Sequence, residues 1–415
     1  MTEEWRPYVA PPRDLPDDVR DRIRTRALGE AAGGRRRTPL AVAAVVALLV
    51  AGGSAAVDWL AGVEPPANGL PGPEVDMTRA QTELDRCWAA VVDAGKAARF
   101  PHRATWRPVI GWQVEGRWIL AARSGETPIF CETTTTSVTV ADPKALAPAA
   151  SGTGTAALLF TPAGSVAGVA DPTWSTLFVD AESGGPTVGH GTQAMVKDGM
   201  WVGMNPLSQG PMKVSATAPI GDGGPPEVRN LPTPAAPAVS VVDRPLPAGE
   251  RASSQGAFLG ECLTKSETPV VDPDAWQPGA MTSGGAKRTV VARLGDLVAS
   301  CTRDYDAGTG SRRFSFSVIH EEVMLARPIQ FVTLVEPEAG ESAWAIGAVE
   351  PEVSGMKLTM KPGAEPISVP IIGSTFALPI PQELMPQAYA VPTGVQVVVT
   401  DRNGKEIHSG QLFPG

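Results

Sequence analysis

Three hydrophobic patterns succeed one another along the 415-residue chain. In the first, Leu15, Val19, Ile23 and Ala27 recur every four residues, which gives a helix one narrow apolar stripe. Pro16 suits a first helical turn, Asp17 and Asp18 meet the positive end of the helix dipole, and Gly33 with Gly34 stops it. A helix over residues 16–32 is expected. In the second, residues 38–57 read TPLAVAAVVALLVAGGSAAV, apolar throughout and without a charge. At 1.5 Å per residue, about 20 helical residues cover the roughly 30 Å core of a bilayer. From residue 78 a third pattern begins. Leu84, Cys87, Trp88, Val91 and Val92 mark one side of a helix over 78–98, and the rest alternates as short strands between Gly- and Pro-rich turns. Trp106–Arg123 reads as a hairpin around Glu115-Gly116, and Asn403-Gly404 is a type I′ hairpin signal.

The flanks orient the second pattern. Arg35, Arg36 and Arg37 place its near end in the cytoplasm, and Trp59 suits the headgroup level at the far end. Cleavage after the Ser54-Ala-Ala56 stretch would require a signal peptide with an unusually long basic leader, so the span is expected to stay attached. The expected order is a cytoplasmic tail (1–37), a transmembrane helix (38–57) and a Pro/Gly tether (58–77), with everything after it exterior and the chain integral to a cell membrane.

That exterior part repeats itself. LDRCW (84–88), WRP (106–108) and AARSGETPIFC (121–131) are followed in the same order by LGECL (259–263), WQP (276–278) and VARLGDLVASC (291–301). Arg123, Gly125, Glu126 and Cys131 match Arg293, Gly295, Asp296 and Cys301 without a gap. Fainter matches continue downstream, with GSVAGVADP (164–172) against AWAIGAVEP (343–351). Repeats of about 150 residues are domain duplication, because solenoid repeats are about 20–50 residues long. The fold class expected is mainly β (α+β): two tandem exterior domains, 78–219 and 254–415, joined by a Pro-rich linker at 220–253. Each has an N-terminal helix packed on antiparallel strands, plus a small β unit.

Composition sharpens this. The 41 prolines and 44 glycines favour turns and short strands. The richness in Ala, Gly, Pro and Val fits a GC-rich bacterial source. Residues 1–37 carry nine Arg against seven acidic groups, which leaves the remainder 26 basic and 37 acidic, a net of −11. An acidic exterior argues against nucleic-acid binding. All four cysteines, Cys87, Cys131, Cys262 and Cys301, follow the apolar run, and an even count in an oxidising compartment reads as disulfides. Because each copy carries its own pair at equivalent places, the duplication implies Cys87–Cys131 and Cys262–Cys301.

Candidate chemistry is sparse. His102, His190, His320 and His408 are scattered and form no metal-ligand spacing, so neither a metal nor a cofactor is expected. No nucleophile elbow, phosphate-binding loop or dinucleotide fingerprint occurs, and no enzymatic activity is expected. Ser354-Gly-Met-Lys357 matches the SxxK of penicillin-binding enzymes, but it lies in strand-like sequence where those enzymes need a helix start. The pairs Arg123/Glu126 and Arg293/Asp296 read as solvated charges on a turn whose glycine takes a positive φ; the rival reading makes them ligand contacts. Trp88, Trp106, Trp112, Trp118, Trp201, Trp276 and Trp344 read mainly as core.

The order of tail, arginine stop, single span, tether and exterior domain, with LPDDVRDRIRTRAL (15–28) in the tail, resembles bacterial anti-sigma-factor-like and sensor-type single-pass membrane proteins. The resemblance implies a transmembrane regulator that acts through its tail on a cytoplasmic partner such as a sigma factor. The tail has neither His nor Cys for the zinc motif common in that family, so what it implies here is one docking helix presenting Leu15, Val19 and Ile23. The exterior ligand is left open. The alternative is a cell-surface interaction or scaffold protein without catalytic activity, whose tail only fixes orientation.

Overall fold

A computed structural model describes residues 76–415 except 146–147, 175, 182–191, 205–211, 218–226, 267, 283–286, 307–310, 320–327, 336–342, 362, 381–393 and 413–415. The expected tail helix with Leu15, Val19 and Ile23, the Arg35–Arg37 stop, the apolar run and nearly all of the tether lie outside the described residues. Among those described, no helix is long and apolar enough to cross a membrane.

The protein is mainly antiparallel β, with two α-helices among the described residues. Helix α1 (Met77–Asp93) starts where the Asp76 carboxylate accepts from Arg79 N at 2.9 Å. It stops at Ala94, ahead of Gly95 in the left-handed conformation (φ 67°), as a glycine C-cap does. Its inner face buries Ala80, Leu84, Cys87, Ala90 and Val91. Two corrections follow. Val92 points outward, 46% exposed, while Glu83 and Arg86, which the apolar pattern passed over, are buried.

Helix α1 packs on a meander of β1 (Arg107–Val114), β2 (Arg117–Ser124), β3 (Thr127–Thr133) and β4 (Ser137–Val140). The β1–β2 turn has both Glu115 and Gly116 left-handed, as a two-residue type I′ hairpin requires. A second sheet follows, built from β5 (Ala156–Phe160), β6 (Ser165–Val169), β7 (Thr176–Ala181), β8 (Thr192–Lys197), β9 (Met200–Met204), β10 (Met212–Thr217) and β11 (Glu227–Leu231). Its strand order is β11-β10-β7-β8-β9-β6-β5. Strand β12 (Val239–Val242) then returns to the first sheet and pairs with β4.

The second half runs through the same order. Helix α2 (Ser254–Lys265) is capped by the Ser253 hydroxyl and packs on β13 (Gln277–Met281), β14 (Arg288–Leu294), β15 (Leu297–Asp306) and β16 (Ser311–Val318). Then come β17 (Ile329–Val335), β18 (Ala343–Val349), β19 (Val353–Thr359), β20 (Ile367–Val369), β21 (Ile371–Ile372), β22 (Thr375–Ile380), β23 (Gln396–Asp401) and β24 (Glu406–Gln411). The pairings correspond as well. In the first half β8 bonds β7 with its first residues and β9 with its last; in the second, β20 bonds β19 and β21 bonds β22. Pro370 lies between β20 and β21. Having no N–H and a fixed φ, proline breaks a central strand, so one seven-stranded sheet in the first half answers to two four-stranded sheets in the second.

Residues 220–253, expected as a linker, are not one throughout. Strands β11 and β12 both lie in them and complete the two sheets of the first half. Their low apolar content misled because an edge strand is held chiefly by its backbone hydrogen bonds and needs few inward side chains. Here Leu231 (3% exposed) and Val239 (2%) suffice. The Asn403-Gly404 hairpin forms, but only Gly404 is left-handed (φ 75°). The Asp401 carboxylate accepts from Asn403 N and Lys405 N, and the register slips by one residue at Thr400, so the turn is not type I′. Ser354 and Lys357 lie on strand β19, with the Ser354 hydroxyl donating to Asp401 O at 2.6 Å.

Candidate binding cleft at the joint between the halves

Pro73–Gly415 is one compact unit, and its two halves meet at the β3–β4 turn. That turn belongs to the sequence Glu132-Thr-Thr-Thr-Thr-Ser137. The Thr134 hydroxyl accepts from Ser137 N at 2.9 Å and closes the turn locally. From one side Arg86 on α1 donates to Thr134 O (2.6 Å) and Ser137 O (3.3 Å), and it makes a two-pronged pair with Asp243, which follows β12 (2.7 and 2.6 Å). Glu83, one helical turn earlier, accepts from the Thr133 hydroxyl at 2.8 Å. From the other side comes Asp272 of the second half. It accepts from Thr134 Oγ1 (2.8 Å), Thr136 Oγ1 (2.6 Å) and Thr136 N (3.0 Å). Asp272 is itself left-handed (φ 48°, ψ 52°), a conformation that aspartate tolerates better than most residues.

A cleft of about 430 Å³ opens at this joint, within the size range of small-ligand sites. Glu132, Thr139, Ser240, Leu246, Val270 and Asp274 are among its walls. No Lys, Arg or His lines it among the described residues. Glu132 is 3% exposed and accepts from Thr161 Oγ1 at 2.9 Å and from the Ser165 hydroxyl. Burial pushes its carboxyl above the ordinary range, against the opposing pull of Ser165, the Arg117 charge and Thr161. Ser165 is fully buried and already engaged, so it is not placed as a nucleophile. Hydroxyls, carboxylates and short apolar side chains can hold a ligand by hydrogen bonds; no base stands beside a nucleophile here. A second cavity of about 340 Å³ lies between Glu83, Trp118, Asp296 and Leu297. There Gly116 is pressed so close to Leu297 that an added Cβ would fall 2.4 Å from its methyl carbon.

The structure brings the cysteines together as the repeat implies: Cys87 with Cys131 and Cys262 with Cys301, at Cα separations of 6.5 and 6.4 Å. Each bridge ties a helix to the third strand of its own meander. Trp106 and Trp276 are both fully buried, and each indole N–H donates to the carbonyl five residues earlier, Pro101 O (3.1 Å) and Val271 O (2.8 Å). Gly125 and Gly295 both have φ 59°, as a turn glycine should. Their arginine neighbours are not simply solvated. Arg123 donates to Asp198 O at 2.7 Å, and Arg293, only 9% exposed, donates to Val349 O at 2.9 Å and Ser374 O at 3.4 Å. Asp198 and Ser374 lie on the equivalent β8–β9 and β21–β22 turns, so each arginine pins its meander to the sheet that follows. Glu126 is fully exposed and 3.9 Å from Arg123.

The sequence reading passed over Glu132, Thr134, Thr136 and Asp272. The one signal was the run of four threonines, whose polarity inside a strand-like segment marks groups needing partners. Compared with protein-family models and with curated proteins, the chain finds no match in either.

Proposed function

We propose that the chain is a single-pass membrane regulator of bacterial type. Its two disulfide-bonded β halves face the exterior, the cleft at their joint takes a ligand, and the tail acts on a cytoplasmic protein. The observation that carries this is the placement of the two disulfides, one within each half at matched positions, in the part of the chain that follows the uncharged run. Disulfides persist in oxidising compartments, so an exterior location suits them. Arg35–Arg37 then orient residues 38–57, and the 1–37 tail is left inside with Leu15, Val19 and Ile23 for a partner such as a sigma factor. The reading involves neither cofactor nor nucleic acid. The second reading, a cell-surface interaction or scaffold protein, is favoured by the fact that Asp272 and the two threonines already satisfy one another across the joint. Replacing Val19 and Ile23 with Asp in the full-length membrane-embedded chain separates the two. Under the regulator reading, capture of a cytoplasmic partner and control of its target genes are lost while insertion is unchanged. Wild-type behaviour of that double variant leaves the scaffold reading.

A further inference from the structure

In the first half the outer edge of β4 is covered. Strand β12 pairs along it, with Val239 opposite Val140 and Val242 opposite Ser137, and the next residue, Asp243, binds Arg86. The corresponding strand of the second half is β16. It bonds β15 on one side, and among the described residues no strand pairs with its other side. Ile319 N–H donates inward to Val298 O, so by alternation the backbone groups of Phe316, Phe314 and Arg312 face out.

The chemistry beside that edge is specific. In a chain of net charge −9, Arg288 and Arg303 stand opposite each other on β14 and β15, with their guanidinium groups 5.7 and 5.6 Å from the Phe258 ring. Exposed Arg312 lies on β16 itself, and the Nε of Arg288 is buried with no acceptor. Burial, then Arg288 and Arg312, depress the affinity of Arg303 for its proton. The nearby carboxylate, Glu261, is bonded to Lys265 at 2.8 Å. Three arginines and Lys265 stand here beside one carboxylate, which Lys265 engages. The places of Arg288, Arg303 and Phe258 are held in the first half by Trp118, Thr133 and Glu83.

We propose that the outer edge of β16 accepts an antiparallel strand from a partner protein, an extended segment of small apolar and hydroxyl residues followed by a carboxylate. The template is β12 with Asp243, with one difference: Arg86, which binds Asp243, is replaced in the second half by Glu261. The cation offered to the carboxylate is Arg312, opposite which the residue that follows the pairing lies, as it lies opposite Thr136 in the first half. Strand addition of this kind draws affinity from main-chain bonds and selectivity from side chains. A second copy of the chain is disfavoured, because edge arginines repel their own kind.

The probe is a synthetic peptide of the chain's own segment 236–243 (APAVSVVD), added to the full-length protein. Two further peptides carry either Lys in place of the Asp or N-methyl groups on alternate residues. Amide hydrogen exchange should slow at Arg312, Phe314 and Phe316 with the acidic peptide. The Lys peptide should bind at least about tenfold more weakly, as charge reversal at an interface demands, and the N-methylated one not at all. R312E, an exposed substitution, should weaken the acidic peptide and favour the Lys peptide. Unchanged exchange on β16 at saturating peptide, or equal binding of the acidic and Lys peptides, overturns the proposal. So does protection that appears with rising protein concentration and no peptide, which would identify the second copy as the occupant.

Discussion

The two helix–sheet corners have one frame and opposite contents. In the first half the corner between α1, β3 and β4 is sealed by charge: Glu83 with Arg79 (3.1 Å) and Thr133, and Arg86 with Asp243. In the second, Phe258 occupies the place of Glu83, and arginines gather on its ring without carboxylates of their own. What both keep is the disulfide, the indole bonded five residues back, and the arginine that reaches the next sheet. These position elements against one another. Residues that only fill the corner were free to change, and with them what the corner can meet.

If the retained residues are the frame, their loss should cost both halves alike. Trp106→Ala and Trp276→Ala should each lose about 3–5 kcal/mol, the usual cost of emptying a fully buried indole site. Chemical denaturation of the two variants checks this; a cost confined to one half would mean that the other half's tryptophan is packing of convenience. Serine in place of either cysteine pair comes next. The closed loops, 44 and 39 residues in separation, are similar, so the loop-entropy argument gives roughly 3–4 kcal/mol for each. Non-reducing peptide mapping should find only the within-half links.

The frame was also what could be read from the sequence. Cysteines, tryptophans and the Arg-x-Gly-acidic stretch recur in order because each is demanded by a local geometry that both halves share. The hairpin around Glu115-Gly116 was legible for another reason, turn residues set between two strand-like runs. The cleft was not. Its groups come from Glu132 on β3, from Thr134 and Thr136 on the turn that follows, and from Asp272, 136 residues after Thr136, and no local pattern announces so distant a partner. Strand β12 escaped notice for another reason: a strand held chiefly by its backbone, with one buried valine, leaves almost no hydrophobic signature.

The arginines test whether retained residues carry equal weight. Arg293 is 9% exposed and donates to two carbonyls, so Arg293→Ala should cost about 1.5–3 kcal/mol, the range for hydrogen bonds from a charged donor. The Arg123 side chain is 38% exposed, and solvent screens what it does. Arg123→Ala should cost under about 1 kcal/mol. Equal losses would mean that the two pins are equally buried in solution and that the halves are more alike than their exposure implies.

The smallest effect is a pH slope peculiar to the first half. Glu132 has Thr302 at its equivalent place, where the second half satisfies it with the Thr289 hydroxyl at 2.9 Å and no charge. Burial raises the Glu132 pKa in the folded state, so the fold holds this proton more tightly than the unfolded chain does. Its contribution is therefore fully present below the ordinary glutamate value and is lost as pH rises through the raised folded value. Glu132→Gln keeps an oxygen for Ser165 and Thr161 but removes the titration. The variant should gain stability relative to wild type as pH is raised across that window, and the gap should close in acid. Denaturation midpoints measured from pH 4 upward read it directly. A difference that does not vary with pH would mean that Glu132 is charged throughout, held so by Arg117 and the two hydroxyls, and that the first half tolerates a buried carboxylate where the second uses a pair of threonines.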